Sequence, residues 1–135
     1  IIGYGGSDSF AVNCYTTTAT VVSGGTYGGA VGYVKKSNLQ NIYGNSAVGA
    51  AVGSAKNTGS NVPSVWPTQT SRALSLGEMM SGSVSVPSNN TEYGSFVEAL
   101  NAGVDIFNSA TFSQKPEGVV LRRWKSSGTY PVLAD

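Results

Sequence analysis

Histidine is absent from this chain, and cysteine occurs once, as Cys14. Without an imidazole there is no Ser-His-Asp or Cys-His nucleophile system, no His-containing zinc site and no HExxH metalloprotease. A single cysteine excludes an intrachain disulfide and a four-cysteine zinc site. Charge is scarce as well: Asp, Glu, Lys and Arg make up 11% of the 135 residues, against ~25% in an ordinary soluble domain. The 8 basic and 7 acidic side chains leave a net charge of +1. That balance provides no electrostatic footprint for nucleic acid or an anionic membrane surface. No apolar run approaches the ~18–20 residues that span a bilayer. The expectation is therefore no nucleic-acid partner, no membrane span, no metal and no cofactor, and catalysis only by carboxylates or a Ser-Lys pair.

What fills the sequence instead is glycine, 18 residues of it, with Ser, Thr, Asn and 7 tyrosines. Short runs, Cys14 to Val22, Ala30 to Val34 and Ala47 to Val52, separated by Gly, Asn and Ser, predict short strands joined by tight turns. The first half also repeats itself. Ser9 to Tyr15 lies above Ser37 to Tyr43, with Ser, Asn and Tyr matching at an offset of 28 residues. Ile1-Ile2-Gly3-Tyr4 recurs as Ala30-Val31-Gly32-Tyr33 and Ala51-Val52-Gly53-Ser54, with glycine spacings of 29 and 21. Periods of this length with short strands predict a solenoid. In a parallel β-solenoid equivalent side chains stack at the ~4.8 Å strand spacing. Asn13 should then lie beside Asn41, Cys14 over Ile42 and Tyr15 near Tyr43, a structural ladder, with Tyr4 near Tyr33. Glycine is expected at the corners, supplying left-handed backbone. The fold class expected is mainly β: a short parallel β-solenoid of two to three coils over residues 1–57, with a small α+β C-terminal cap over residues 58–135.

Within the cap, Ser95-Phe96-Val97-Glu98 fits a capping box. The helix that follows places Phe96, Val97, Leu100, Val104 and Phe107 on one stripe, and a shorter helix is expected around Ser75 to Met80. Val119 to Trp124 and Tyr130 to Leu133 read as a β-hairpin. Thr58 to Ser71 and Gly82 to Tyr93 read as long polar loops; the Asn89-x-Thr91 acceptor pattern marks the second. Beginning at Ile1-Ile2-Gly3-Tyr4 in strand-like sequence, the chain is expected to be a piece of something longer.

Asn13-Cys14-Tyr15, followed by Thr and Val and then Gly28-Gly29-Ala30-Val31-Gly32-Tyr33, closely resembles the GLUG repeat. The core of that repeat reads Gly-Leu-apolar-Gly, preceded by an Asn-Cys-Tyr strand; Ala30 replaces the usual Leu. The likeness covers about residues 1–55. Glu98 to Gly103, Trp124 and Gly128-Thr129-Tyr130-Pro131-Val132-Leu133 are similar to the segment that commonly closes such arrays. The resemblance implies the C-terminal end of a repeat array in a secreted or cell-surface bacterial protein. GLUG repeats occur in adhesin-like proteins and in the non-catalytic part of some immunoglobulin-cleaving proteases.

Few residues are candidates to carry chemistry. Cys14 has no histidine to activate it and reads as a small hydrophobe. Of the carboxylates, the solenoid body offers Asp8 alone; Glu78, Glu92, Glu98, Asp105, Glu117 and Asp135 belong to the cap. The doublets Lys35-Lys36 and Arg122-Arg123 read as solvated edge charges. Tyr27 and Trp66 are the candidate ligand-binding aromatics, and Trp124 is assigned to packing. The expected function is non-enzymatic: adhesion or ligand display through a rigid uncharged face toward a host glycan or matrix protein. Self-association or upstream repeats would cover the N-terminal coil. The alternatives are a polysaccharide-active β-helix enzyme, which needs two acids at ~5–9 Å, and a purely structural assembly module.

Overall fold

The computed structural model describes residues 2–5, 10–19, 27–35, 38–56, 71–87, 89–110, 115 and 117–135. Six strands come first: β1 (Ile2–Gly5), β2 (Phe10–Tyr15), β3 (Val31–Lys35), β4 (Asn38–Asn45), β5 (Val52–Lys56) and β6 (Ser71–Leu74). They form two open parallel sheets, ordered β1-β3-β5 and β2-β4-β6, so the chain alternates from one sheet to the other. The remaining elements are α1 (Leu76–Ser81), β7 (Val84–Ser85), β8 (Glu92–Tyr93), α2 (Phe96–Ser109), β9 (Trp124–Lys125) and β10 (Val132–Leu133). The molecule is thus mostly strands, with two helices among the described residues, neither long and apolar enough to cross a membrane.

The register follows fixed offsets. Phe10 pairs with Asn38, Cys14 with Ile42 and Tyr15 with Tyr43; Ile2 pairs with Val31 and Tyr4 with Tyr33; Val31 pairs with Val52. The third strand of the second sheet is Ser71–Leu74, with Ile42 opposite Ser71, so this sheet takes its last strand from beyond residue 57.

In a regular strand, residues i and i+2 share a face. Here Ala11 and Cys14 face the same core as Leu39 and Ile42, together with Ala30, Val31 and Val34, a spacing of three. The cause is a left-handed residue inside each strand, Asn13 at φ 53° and Asn41 at φ 51°, which resets the alternation. Asparagine, the non-glycine residue most at home there, makes the bends expected of glycine. One result is that Tyr43 turns to the opposite face, into a second core with Leu74, Met79, Val84, Val86, Phe96, Ala99 and Leu100.

Helix α2 lies on that face. Its buried stripe is Phe96, Ala99, Leu100, Gly103, Val104 and Phe107; Val97, expected in it, is half-exposed. Ser95 caps the helix by accepting from Glu98 N at 3.3 Å. The box closed in both directions is instead at α1, where Ser75 Oγ accepts from Glu78 N and Glu78 Oε2 accepts from Ser75 N at 2.7 Å. The Gly82 to Tyr93 stretch, expected as a loop, holds the antiparallel pair β7-β8. Around Asn89 it turns tightly, with Asn90 at φ 54° and Thr91 N donating to Asn89 Oδ1. The terminal hairpin is shorter than expected: only Trp124–Lys125 and Val132–Leu133 pair. Residues 119–123 form no strand, for a reason that lies in α2.

Candidate functional site

The seam between sheet β2-β4-β6 and α2 brings together four of the six ladder residues, Asn13, Asn41, Tyr15 and Tyr43, while Cys14 and Ile42 face the other core. Asn13 Nδ2 donates to the Leu100 carbonyl at 3.0 Å. A Cβ on Gly103 would come 2.2 Å from Asn41 Nδ2 and 2.4 Å from Asn13 Oδ1. Both amides therefore meet the helix at its one residue without a side chain. Next along the strands, Tyr15 and Tyr43 each pack edge-on against Phe96, with centroids 5.1 Å apart in both cases. Tyr15 also touches Trp124 at 5.5 Å and donates its hydroxyl to the Pro131 carbonyl at 2.5 Å. Tyr43 is fully buried and its Oη has no hydrogen-bond partner. Burial pushes its hydroxyl pKa far up, the nearby Arg72 charge only partly opposing this.

Sequence reasoning missed how the C-terminal segment is held. Asn101 Nδ2 donates to Trp124 O while Asn101 Oδ1 accepts from Trp124 N, at 3.0 and 2.8 Å. Asn108 does the same with Leu121, at 3.0 and 2.8 Å. Two carboxamides two turns apart on α2 thus stand in for a neighbouring strand, each satisfying the backbone N–H and C=O of one residue: Leu121, which lies in no strand, and Trp124, on the side of β9 that faces the helix. The only sequence signal is a pair of Asn at i and i+7. Lys115, also missed, donates to the carbonyls of Phe107, Asn108 and Ala110 at 2.8, 3.1 and 3.2 Å and lies 4.8 Å from the Phe107 ring centroid. It closes the helix C-terminus, where a cation is favourable.

Between β2 and this segment runs an open, mainly apolar cleft of about 430 Å³, walled by Val12, Cys14, Tyr15, Val120, Leu121 and Leu133. Cys14 is half-buried in it, and its thiol donates to Val12 O at 3.1 Å. Desolvation pushes its pKa up, the bond to Val12 O notwithstanding, the reverse of what a nucleophile needs. Arg122 at the rim donates to the Ala134 carbonyl.

A second depression, about 420 Å³, lies on the outer side of α2 and includes Tyr93, Glu98, Asn101, Asp105 and Arg123. Asp105 is bound by Arg123 at 2.6 Å, both side chains largely exposed. Glu98 and Asp105 stand seven residues apart on one helix, about 10 Å along its axis, and the carboxylate of Asp105 is occupied by Arg123. Asp135 pairs with Lys125 at 2.9 Å, and Glu78 serves its cap.

Of the two candidate ligand-binding aromatics, Tyr27 is 53% exposed and Trp66 lies outside the described residues, as do Asp8 and Lys36. Trp124 packs as expected of it. Comparison with models of known families, with curated proteins and with solved structures gives no match.

Proposed function

We propose that the two parallel sheets are two faces of a short β-solenoid whose successive windings are β1-β2, β3-β4 and β5-β6, covered on one face by α2, and that the chain is a segment of a secreted or cell-surface protein. In this reading it is non-enzymatic and presents a rigid, uncharged face to a glycan or matrix protein. The observation that carries the solenoid is the alternation: successive strands fall in one parallel sheet and then the other, with steps of 29 and 21 residues in the first sheet and 28 and 29 in the second. Such alternation between two parallel sheets supports a winding chain whose turns vary in length. The likeness to GLUG repeats, and through it adhesion, belongs to the same proposal. The low charge and the exposed Tyr27 ring support binding by stacking and hydrogen bonds rather than by net charge. The Arg123 ion pair that occupies Asp105, and the thiol pKa of Cys14 raised by desolvation, favour binding over turnover.

The test is retention on arrays of soluble glycans and extracellular-matrix proteins. Specific retention, reduced about tenfold or more by Tyr27→Ala or Trp66→Ala, is the expected result. Retention indifferent to both changes would remove these aromatics from the binding face, and no retention at all would leave a scaffold.

A further inference from the structure

The two ends of the stacked sheets differ. On the edge formed by β6, the side chains of Ser71, Arg72 and Ala73 are exposed, a short, polar, charged edge of the kind that discourages further pairing. On the edge formed by β2, apolar side chains are less covered than their register partners. Ala11 is 9% exposed against 1% for Leu39, and Cys14 and Tyr15 are half-buried where Ile42 and Tyr43 are buried. In the other sheet Ile2 and Val52, at its two ends, are both half-buried where Val31 between them is buried, so the difference between the ends lies in the β2-β4-β6 sheet. Along the same edge stands the cleft, with Val120 at 71% and Leu133 at 46% exposure on its far wall. Asn13 Oδ1, buried, accepts no hydrogen bond from the described residues.

We propose that the β2 edge and this apolar rim receive one further winding: a parallel strand carrying asparagine opposite Asn13 and aliphatic side chains opposite Ala11 and Cys14. Each property of the occupant comes from the β2–β4 pairing that it would continue. It is parallel because every pair in both large sheets is parallel. It carries asparagine because the left-handed bend at residue 13 must be matched across the ladder, as Asn41 matches it now. It is aliphatic at the flanking positions because these lie over Leu39 and Ile42. It is a winding rather than a lone peptide because β1 is also the last strand of its sheet. The rim of Val120, Leu121 and Leu133 would hold it from outside. This rests on the stacked-winding part of the proposed function and not on glycan binding.

The experiment fuses a copy of residues 30–51 ahead of Ile2, so that the copied Val31 and Asn38–Asn45 fall in register with β1 and β2. Native-state alkylation of Cys14 is followed by mass spectrometry. The fused winding should slow modification by about tenfold or more, as expected when a site opens only through a local unfolding step. The same fusion with Ile42→Asp in the copied winding should restore the rate of the unfused chain. Equal rates for all three proteins would overturn the proposal. So would sedimentation showing the unfused chain as a dimer whose dissociation alone exposes Cys14, since the occupant would then be a second copy. A disulfide between Ala11→Cys and Leu39→Cys in a Cys14→Ser background checks the stacking itself, because adjacent strands lie about 4.8 Å apart. If that bond forms and the fused winding gives no protection, the docking inference fails while the solenoid stands.

Discussion

Two residue types with no reactive chemistry do most to shape this protein: asparagine in a left-handed backbone and glycine where a helix needs to come close. At Asn13 and Asn41 the side chain tolerates φ near +50° and also reaches the helix. Asn13→Gly and Asn13→Ala both delete the bond to Leu100 O, but only alanine incurs the left-handed penalty of about 1–2 kcal/mol. Asn13→Ala should therefore be the less stable by about 1 kcal/mol in urea denaturation. Gly103→Ala gains about 1 kcal/mol of helix propensity. It also forces a methyl into atoms 2.2 and 2.4 Å away, at a cost of about 1–3 kcal/mol for overpacking plus about 1 kcal/mol for the displaced Asn13 bond. The net expectation is a loss of about 1–3 kcal/mol, seen as a lower urea midpoint with an unchanged slope. Tyr43→Phe should be neutral or stabilising by up to about 1 kcal/mol, because it removes a buried hydroxyl that has no partner; a drop in Tm of several degrees would show that the hydroxyl is satisfied in solution.

At the scale of elements, the caps decide how the helices end and how the last segment docks. Glu78 at α1 accepts from the Ser75 backbone and hydroxyl, and these bonds lower its pKa. A carboxylate whose folded pKa lies below its unfolded one contributes fully above the unfolded value, ~4.3, and loses that contribution as pH falls through the folded pKa. Glu78→Gln should therefore lower Tm at pH 7 and match the parent near pH 2–3; a difference that persists in acid would mean that the charge is not what the cap uses. Asn108→Ala breaks both bonds to Leu121, which should cost about 1–2 kcal/mol. It should also speed amide exchange selectively around residues 119–123. Asn108 shows why Val119 to Trp124, which opens on Val-Val-Leu, reads as a strand yet forms one only at its end. Its backbone finds partners on a helix, and no local pattern records that.

For the molecule as a whole, the parallel sheets place their best-covered strand in the middle. Every described side chain of β4 is buried, from Leu39 to Asn45. Its amides should exchange only through global unfolding, while those of β6 and β9–β10 exchange through local openings. Uniform exchange across the sheets would contradict a stack with two ends. Much of this architecture was legible in the chain itself. The repeat of Asn-x-Tyr and apolar-Gly carries the pairing register, because a parallel stack sets equal side chains at equal heights and a constant offset in sequence becomes a column in space. The absence of histidine and the single cysteine narrowed the chemistry before any fold was known. The packing of the last third was not legible. Whether a glycine serves a corner or a helix crossing, which serine closes a capping box, and where the Asn101 and Asn108 amides find their partners depend on contacts between residues far apart in the chain. Periodicity fixes which residues are equivalent, since equivalence is a property of order along the chain. Only the tertiary structure decides which atoms touch, since that depends on how a helix is laid across the strands of a parallel sheet.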